Sequence, residues 1–216
     1  MSGPKHAIVV GGGIAGIAAA VRLTDLGWRV TLLEATRRLG GRATSHVDPE
    51  TGEEIDNCQH VTMGACAAYE WLLGRLGVAD AIEWSGTQTW LRAGCAPSRL
   101  EAGALPAPLH YSGAFARARF LSGLDKAAIG GAMAAIARVD RGAWRGRTFG
   151  EFLLEHAQPE TAVRRFWSPV VVSACNLDVE RVSAGAALMV FQEGLLAGAG
   201  AARIGVPRVA LGRLWE

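Results

Sequence analysis

Apolar and polar positions fall into distinct blocks along this chain, and the first block is the sharpest. Ala7-Ile8-Val9-Val10 is an unbroken apolar run with β-branched character, which predicts a strand. Gly11-Gly12-Gly13-Ile14-Ala15-Gly16 follows at once, and residues 17–26 pattern as a helix closed by Gly27. Arg29-Val30-Thr31-Leu32-Leu33 predicts a second strand with Glu34 at its end. Further on, residues 43–47 predict a strand and Asp48-Pro49-Glu50-Thr51-Gly52 a turn. Residues 63–76 predict a helix, with Tyr69, Leu72, Leu73 and Leu76 on one stripe and Gly77 as its cap. Trp84, Trp90, Leu100, Leu105 and Leu109 lie among glycines and prolines, the pattern of short strands joined by turns. Residues 115–120 and 127–139 predict helices, and another starts near Thr148, an N-cap with Glu151 three residues on.

The first block has the order that a dinucleotide fingerprint requires: strand, glycine turn, helix, strand, acid. Gly11 permits a tight turn out of the strand, because it can take backbone angles that a Cβ forbids. Gly13 lets the backbone approach a pyrophosphate, and Gly16 lets the helix pack closely on the sheet. The backbone at Gly13, Ile14, Ala15 and Gly16 then forms the helix N-terminus, where free N–H groups and the dipole favour negative charge. Glu34 lies 18 residues beyond Gly16, near the roughly 20 expected of an acid that bonds ribose hydroxyls.

Shortly after Glu34, Arg38-Leu39-Gly40-Gly41-Arg42 sets two glycines between fixed positive charges. Such a loop can come close to a diphosphate and offer it guanidinium donors from Arg38 and Arg42. Here the sequence resembles the FAD family that carries a GG motif after the ribose acid, which includes flavin amine oxidases and phytoene desaturases. Asp56-Asn57-Cys58-Gln59-His60 narrows the resemblance to the hydroxysqualene dehydroxylases, which read Asp-Asn-Gly-Gln-His; this chain departs from them at Cys58. The segment from Phe166-Trp167-Ser168-Pro169 to Leu177, and that from Arg181 to Phe191-Gln192-Glu193-Gly194, resemble the same family.

That resemblance implies an α/β fold: a Rossmann-like FAD-binding domain with an inserted, mainly α substrate domain. It divides the chain into residues 1–80 of the FAD domain, an insertion at 81–204, and a return at 205–216. No counterpart of the family's later adenine strand or closing flavin segment follows, so a C-terminal part is expected to be missing. FAD is the implied cofactor and an isoprenoid the implied substrate, with hydroxysqualene reduced to squalene. Asp56 and His60 are the titratable pair in a segment expected near the flavin, so they are the candidates for proton transfer; the alternative is that they only hold the loop. Phe166, Trp167 and Phe191 either pack a core or line a tunnel for the isoprenoid.

Bulk properties narrow the partners. The 216 residues carry 22 Lys and Arg against 20 Asp and Glu, a net charge of +2, and the basic residues are scattered. Nucleic acid is therefore not an expected partner. The four cysteines at 58, 66, 95 and 175 show no CxxC and no zinc spacing with histidine, so no metal site is expected. No G-x-S-x-G nucleophile motif occurs. The longest apolar stretch, residues 184–202, is broken by Gln192 and Glu193, and residues 1–6 lack a signal-peptide core. The expectation is a cytoplasmic protein, with peripheral contact to the inner membrane face if the substrate is lipid-borne. Mean hydropathy of +0.19 is high for a chain with 19% charged residues. It fits either an unusually buried interior or apolar surface meant for a membrane or a missing partner. Three readings stay open: a hydroxysqualene dehydroxylase, a flavin enzyme acting on an amine or a carotenoid precursor, and a non-catalytic nucleotide-binding fragment that needs a partner.

Overall fold

The computed structural model describes residues 5–57 and 61–216. In chain order the regular elements begin with β1 (His6–Val10), α1 (Ile14–Asp25), β2 (Arg29–Leu33), β3 (Ser45–Val47), β4 (Glu54–Asp56), β5 (Thr62–Met63) and α2 (Ala67–Leu76). Next come β6 (Ile82–Ser85), β7 (Gln88–Trp90), β8 (Ser98–Leu100), α3 (Ser112–Arg117), α4 (Gly123–Ile136) and α5 (Phe149–Glu155). The last are α6 (Glu160–Ala162), α7 (Ser168–Cys175), α8 (Ala184–Met189), α9 (Ala199–Ala202) and β9 (Ile204–Pro207). The chain forms two compact units. Unit 1 takes the described residues of 1–62, 66–84 and 205–216, and unit 2 takes residues 63–65 and 85–204.

Unit 1 is built on a parallel pair. β1 and β2 run in register from His6 opposite Arg29 to Val10 opposite Leu33, joined by the crossover helix α1. Helix α1 contributes Ile17 to a small core with Leu72 and Leu73 of α2, Ile82, Leu211, Leu214 and Trp215. β3 and β4 form an antiparallel hairpin, Ser45 opposite Asp56. The closing segment Leu211–Trp215 is a 3-10 turn.

Unit 2 is mainly helical, with one short antiparallel pair, β7 and β8. Its core gathers Phe149, Phe152, Phe166, Trp167, Leu188 and Phe191, with Ile129 and Ile136 of α4. Two helices widen into π turns, one in mid-course at Val163–Trp167 before α7 and one at its C-terminal end, Val190–Leu195 after α8. Pro169 stands at the start of α7 and has no N–H to return to the preceding turn, so the helix passes it by loosening. In the second π turn, Gln192 Nε2 donates to the carbonyls of Ile136 (2.7 Å) and Val139 (2.9 Å), satisfying acceptors near the end of α4.

The structure moves several predicted boundaries. The helix expected from residue 63 begins at Ala67. The N–H groups of Gly64 and Ala65 are already committed to the carbonyls of Arg203 (3.0 Å) and Ala201 (2.9 Å). The helix expected at 127–139 begins four residues earlier, because Ser122 and Asp125 form a capping box there: Ser122 Oγ accepts from the Asp125 N–H, and Asp125 accepts from the Ser122 N–H. The predicted cap at Thr148 and Glu151 is present in the same reciprocal form, and Gly77 caps α2 in the left-handed region at φ +76°. Phe166, Trp167 and Phe191 are fully enclosed in the core of unit 2.

Candidate functional site

The glycine turn is fixed at both ends by backbone contacts. Gly11, at φ +100°, donates its N–H to the Leu33 carbonyl at 2.7 Å, tying the end of β1 to the end of β2. A Cβ on Gly16 would lie 1.8 Å from the Gly11 carbonyl oxygen, so α1 can start against this turn only without a side chain at 16. Gly13 is the N-cap of α1, in extended conformation. Among the described residues no side chain caps α1, and its first turn carries no acid, which leaves its leading N–H groups to a ligand from outside. Ile14 is half-buried and Ala15 exposed at this end.

The second glycine motif lies directly against the first. Gly40 donates its N–H to the Gly12 carbonyl at 2.8 Å, and Gly13 and Gly40 pair as an isolated parallel bridge. A Cβ on Gly41 would stand 3.1 Å from the Gly13 Cα. Gly40 takes φ +94°, and a Cβ there would meet the Ala43 carbonyl oxygen at 2.4 Å. Two glycine segments well apart in sequence thus form one continuous stretch of bare backbone.

Glu34 joins that stretch. Its Oε1 accepts from the Thr36 N–H at 2.9 Å and its Oε2 from the Gly12 N–H at 2.6 Å. These bonds, that from Thr36 foremost and then that from Gly12, hold the carboxyl below the usual carboxylate range. Each oxygen keeps a second lone pair, so the ionised group can accept further hydroxyl donors. The sequence reading assigned Glu34 to a ribose and missed that it also braces the turn through Gly12.

Arg38 and Asp56 are held by structural bonds. Arg38 Nη1 donates to the Ser45 carbonyl at 2.8 Å, linking the GG loop to β3. Arg42 is exposed. Asp56 Oδ1 accepts from Ser45 Oγ at 2.6 Å and from the Leu211 N–H at 2.8 Å. Ser45 Oγ also accepts from the Gly212 N–H at 2.9 Å, and Trp215 Nε1 donates to the Ala43 carbonyl at 2.8 Å. Asp56 and Ser45 together fasten the 3-10 turn at 211–215 beside the GG loop. Sequence reasoning missed Ser45 and Trp215, since Asp56 and Leu211 stand 155 residues apart and no local pattern links them. His60, with Cys58 and Gln59, lies outside the described residues.

This geometry meets independent similarity at the same place. Residues 9–71 match the family described as the NAD(P)-binding Rossmann-like domain. Over 222 positions the chain is 30% identical to hydroxysqualene dehydroxylase of Sinorhizobium fredii, covering 96% of this chain and 48% of that protein. It is 28% identical over 202 positions to a probable zeta-carotene desaturase of Synechococcus elongatus, covering 85% of this chain and 41% of that one. The similarity is to the flavin amine oxidase and desaturase superfamily. Among solved structures, an oxidoreductase from Methanosarcina mazei superposes with a TM-score of 0.62 at 16% identity, over 97% of this chain and 49% of its own, which is a likeness of fold. The chain therefore spans about half the length, or less, of the superfamily relatives it matches. The expected Rossmann-like α/β architecture is present, and the 9–71 match contains the glycine turn, Glu34 and the GG loop. Among the described residues no helix is long and apolar enough to cross a membrane.

Proposed function

We propose that this chain is the FAD-holding N-terminal part of an oxidoreductase that acts on an isoprenoid, and specifically that reduces hydroxysqualene to squalene. The observation that carries the reading is the backbone contact between the two glycine motifs, with Glu34 bonded to Gly12. A dinucleotide diphosphate needs N–H donors that no side chain obstructs, and the start of α1 supplies them. The cradle at Gly13 and Gly41 is one a Cβ would narrow, so the residues present fit the group. In this reading Gly11, Gly13, Ile14, Ala15, Gly16, Gly40 and Gly41 present backbone to the diphosphate. Glu34 accepts from the adenosine ribose, and Arg42, with the donors Arg38 has left, adds positive charge.

When bound, the flavin supplies the hydride equivalent that replaces the departing hydroxyl and is itself oxidised. The chain's own part is to orient, to keep water out and to deliver a proton to the hydroxyl oxygen so that it leaves as water. We assign the proton to His60 and a positioning role to Asp56, whose carboxylate already holds Ser45 and Leu211. Unit 2 would enclose the isoprenoid, with membrane contact following from a lipid-borne substrate; co-sedimentation with liposomes tests that contact.

Titrating the chain with FAD tests the reading at its base. Saturable flavin quenching that weakens in Glu34→Gln is the expected result. No uptake by either form would overturn FAD binding by this chain. A second reading, carotenoid desaturation, is favoured by the 28% identity to the zeta-carotene desaturase over 85% of the chain. Turnover of hydroxysqualene but not zeta-carotene by a protein of the relatives' length would separate the two, and His60→Ala in that protein should lose turnover while keeping its flavin.

A further inference from the structure

Unit 2 satisfies its deep polar groups with care. Gln158 Oε1 accepts from Trp167 Nε1 at 2.9 Å, and its Nε2 donates to the carbonyls of Ala128 and His156 at 2.9 Å each. Buried Asp125 is bonded by Ser122 and by the Thr161 hydroxyl, with Arg165 at 3.7 Å. His110 and Tyr111 break this pattern. They are 4% and 9% exposed, yet among the described residues His110 Nδ1, His110 Nε2 and the Tyr111 hydroxyl are buried with no hydrogen-bond partner.

The two rings are neighbours, with centroids 4.7 Å apart and planes tilted by 52°. Their backbones are also held by neighbouring segments. The His110 carbonyl accepts from the Gly103 N–H at 2.7 Å, and the Tyr111 carbonyl accepts from the Phe115 N–H at 2.9 Å, at the start of α3. Tyr111 belongs to the same apolar core as Leu100, Ala114, Ala118 and Phe120. Burial pushes its phenol up, which keeps it a neutral donor.

Buried polar groups left unpaired are costly, and native interiors seldom tolerate several together. A neutral imidazole offers one donor and one acceptor, and a phenol offers one of each. Their complement is a group that both donates and accepts. A hydroxyl does this without bringing charge into an apolar core, whereas a carboxylate or phosphate would carry a heavy desolvation cost. We propose that His110 and Tyr111 bind the hydroxyl group of an otherwise apolar alcohol inside unit 2. The choice of an isoprenoid alcohol as probe rests on the functional reading above; the hydroxyl site rests on the two side chains.

The test is equilibrium binding to the purified chain without flavin, with farnesol as the alcohol and farnesene as the matched hydrocarbon. Farnesol should bind about tenfold more tightly, the worth of one or two buried hydrogen bonds. Tyr111→Phe, which keeps ring and volume, should bring the two affinities to within about twofold. Equal affinities in the unaltered chain, no binding of either probe, or an undiminished preference in Tyr111→Phe would each overturn the proposal. A lowered melting temperature in Tyr111→Phe with the alcohol preference intact would assign the pair to a structural water instead. Because no flavin is present, failure of FAD uptake and failure of alcohol recognition are read separately.

Discussion

In unit 2, Phe149, Phe152, Trp167 and Phe191 are fully enclosed, and their rings meet edge-on or stacked at 5.0 to 5.7 Å. In unit 1, the pairing of β1 with β2 sets Ile8 and Val10 on the same face as Leu33, and these three are 61%, 81% and 49% exposed. Parallel strands are ordinarily covered on both faces. One unit is therefore held by side chains locked into one another, whereas the other is held at its working end by backbone against backbone. The contrast explains the high mean hydropathy: part of the apolar content is buried in unit 2, and part lies bare on a sheet that by itself is only half covered. It also predicts which unit tolerates which change.

The largest effect should come from Gly16→Ala, whose added Cβ would meet the Gly11 carbonyl. FAD uptake should be abolished while the near-ultraviolet signal of the unit 2 aromatics persists; a variant that still takes up FAD would break the comparison. Phe149→Ala should do the reverse, costing unit 2 about 3–5 kcal/mol in denaturant unfolding and leaving FAD affinity within about twofold.

Asp125→Asn should cost about 2 kcal/mol, as expected when hydrogen bonds to a buried charge are lost. The effect should depend on pH in one direction. Burial opposes ionisation of Asp125, but the bonds from Thr161 and Ser122 and the charge of Arg165 outweigh it and hold the carboxyl below its usual range. Its contribution is therefore complete above the unfolded value of about 3.9 and fades as pH falls through the lower folded value. Melting curves of the two forms should converge in acid, and a constant gap would refute the assignment. Least costly should be Thr148→Ala, at about 1 kcal/mol for the lost cap. Amide exchange sharpens the same comparison: protection should be higher in α5 and α8 than in β1 and β2.

Sequence reasoning reached the two units unequally. The strand, glycine turn, helix, strand and acid of residues 7–34 were readable because each signal is local, and the structure has each of them. That Gly40 would bond Gly12, and that Glu34 would hold the Gly12 amide, depends on how the chain returns, which no local pattern encodes. Asp56 shows the same limit: the sequence marks it as a candidate either for proton transfer or for holding its loop, and only the structure supplies its partners, Ser45 and Leu211, from segments far apart in sequence. In unit 2 the cap at Thr148 is legible because Glu151 follows three residues on, whereas the equivalent box at Ser122 and Asp125 is overshadowed by the alanine-rich run behind it. His110 and Tyr111 gave no signal at all, because an unpaired polar atom becomes visible only once its surroundings are known.

The widened turn before α7 has a consequence for how the length of unit 2 can vary. An α-helix advances about 100° per residue, so the residue absorbed by the wide turn at Val163–Trp167 resets the rotational phase of every later position in that helix, Ser168 to Cys175. A helical wheel drawn from Glu160 would therefore misplace Val171, which is fully buried in the core of unit 2. Removing a single residue from 163–167 would act as a twist rather than a shortening, swinging the downstream side chains to new compass points while the helix stayed intact. Relatives that differ by one residue in this segment would then differ in what their next turn faces, with scarcely any change in composition.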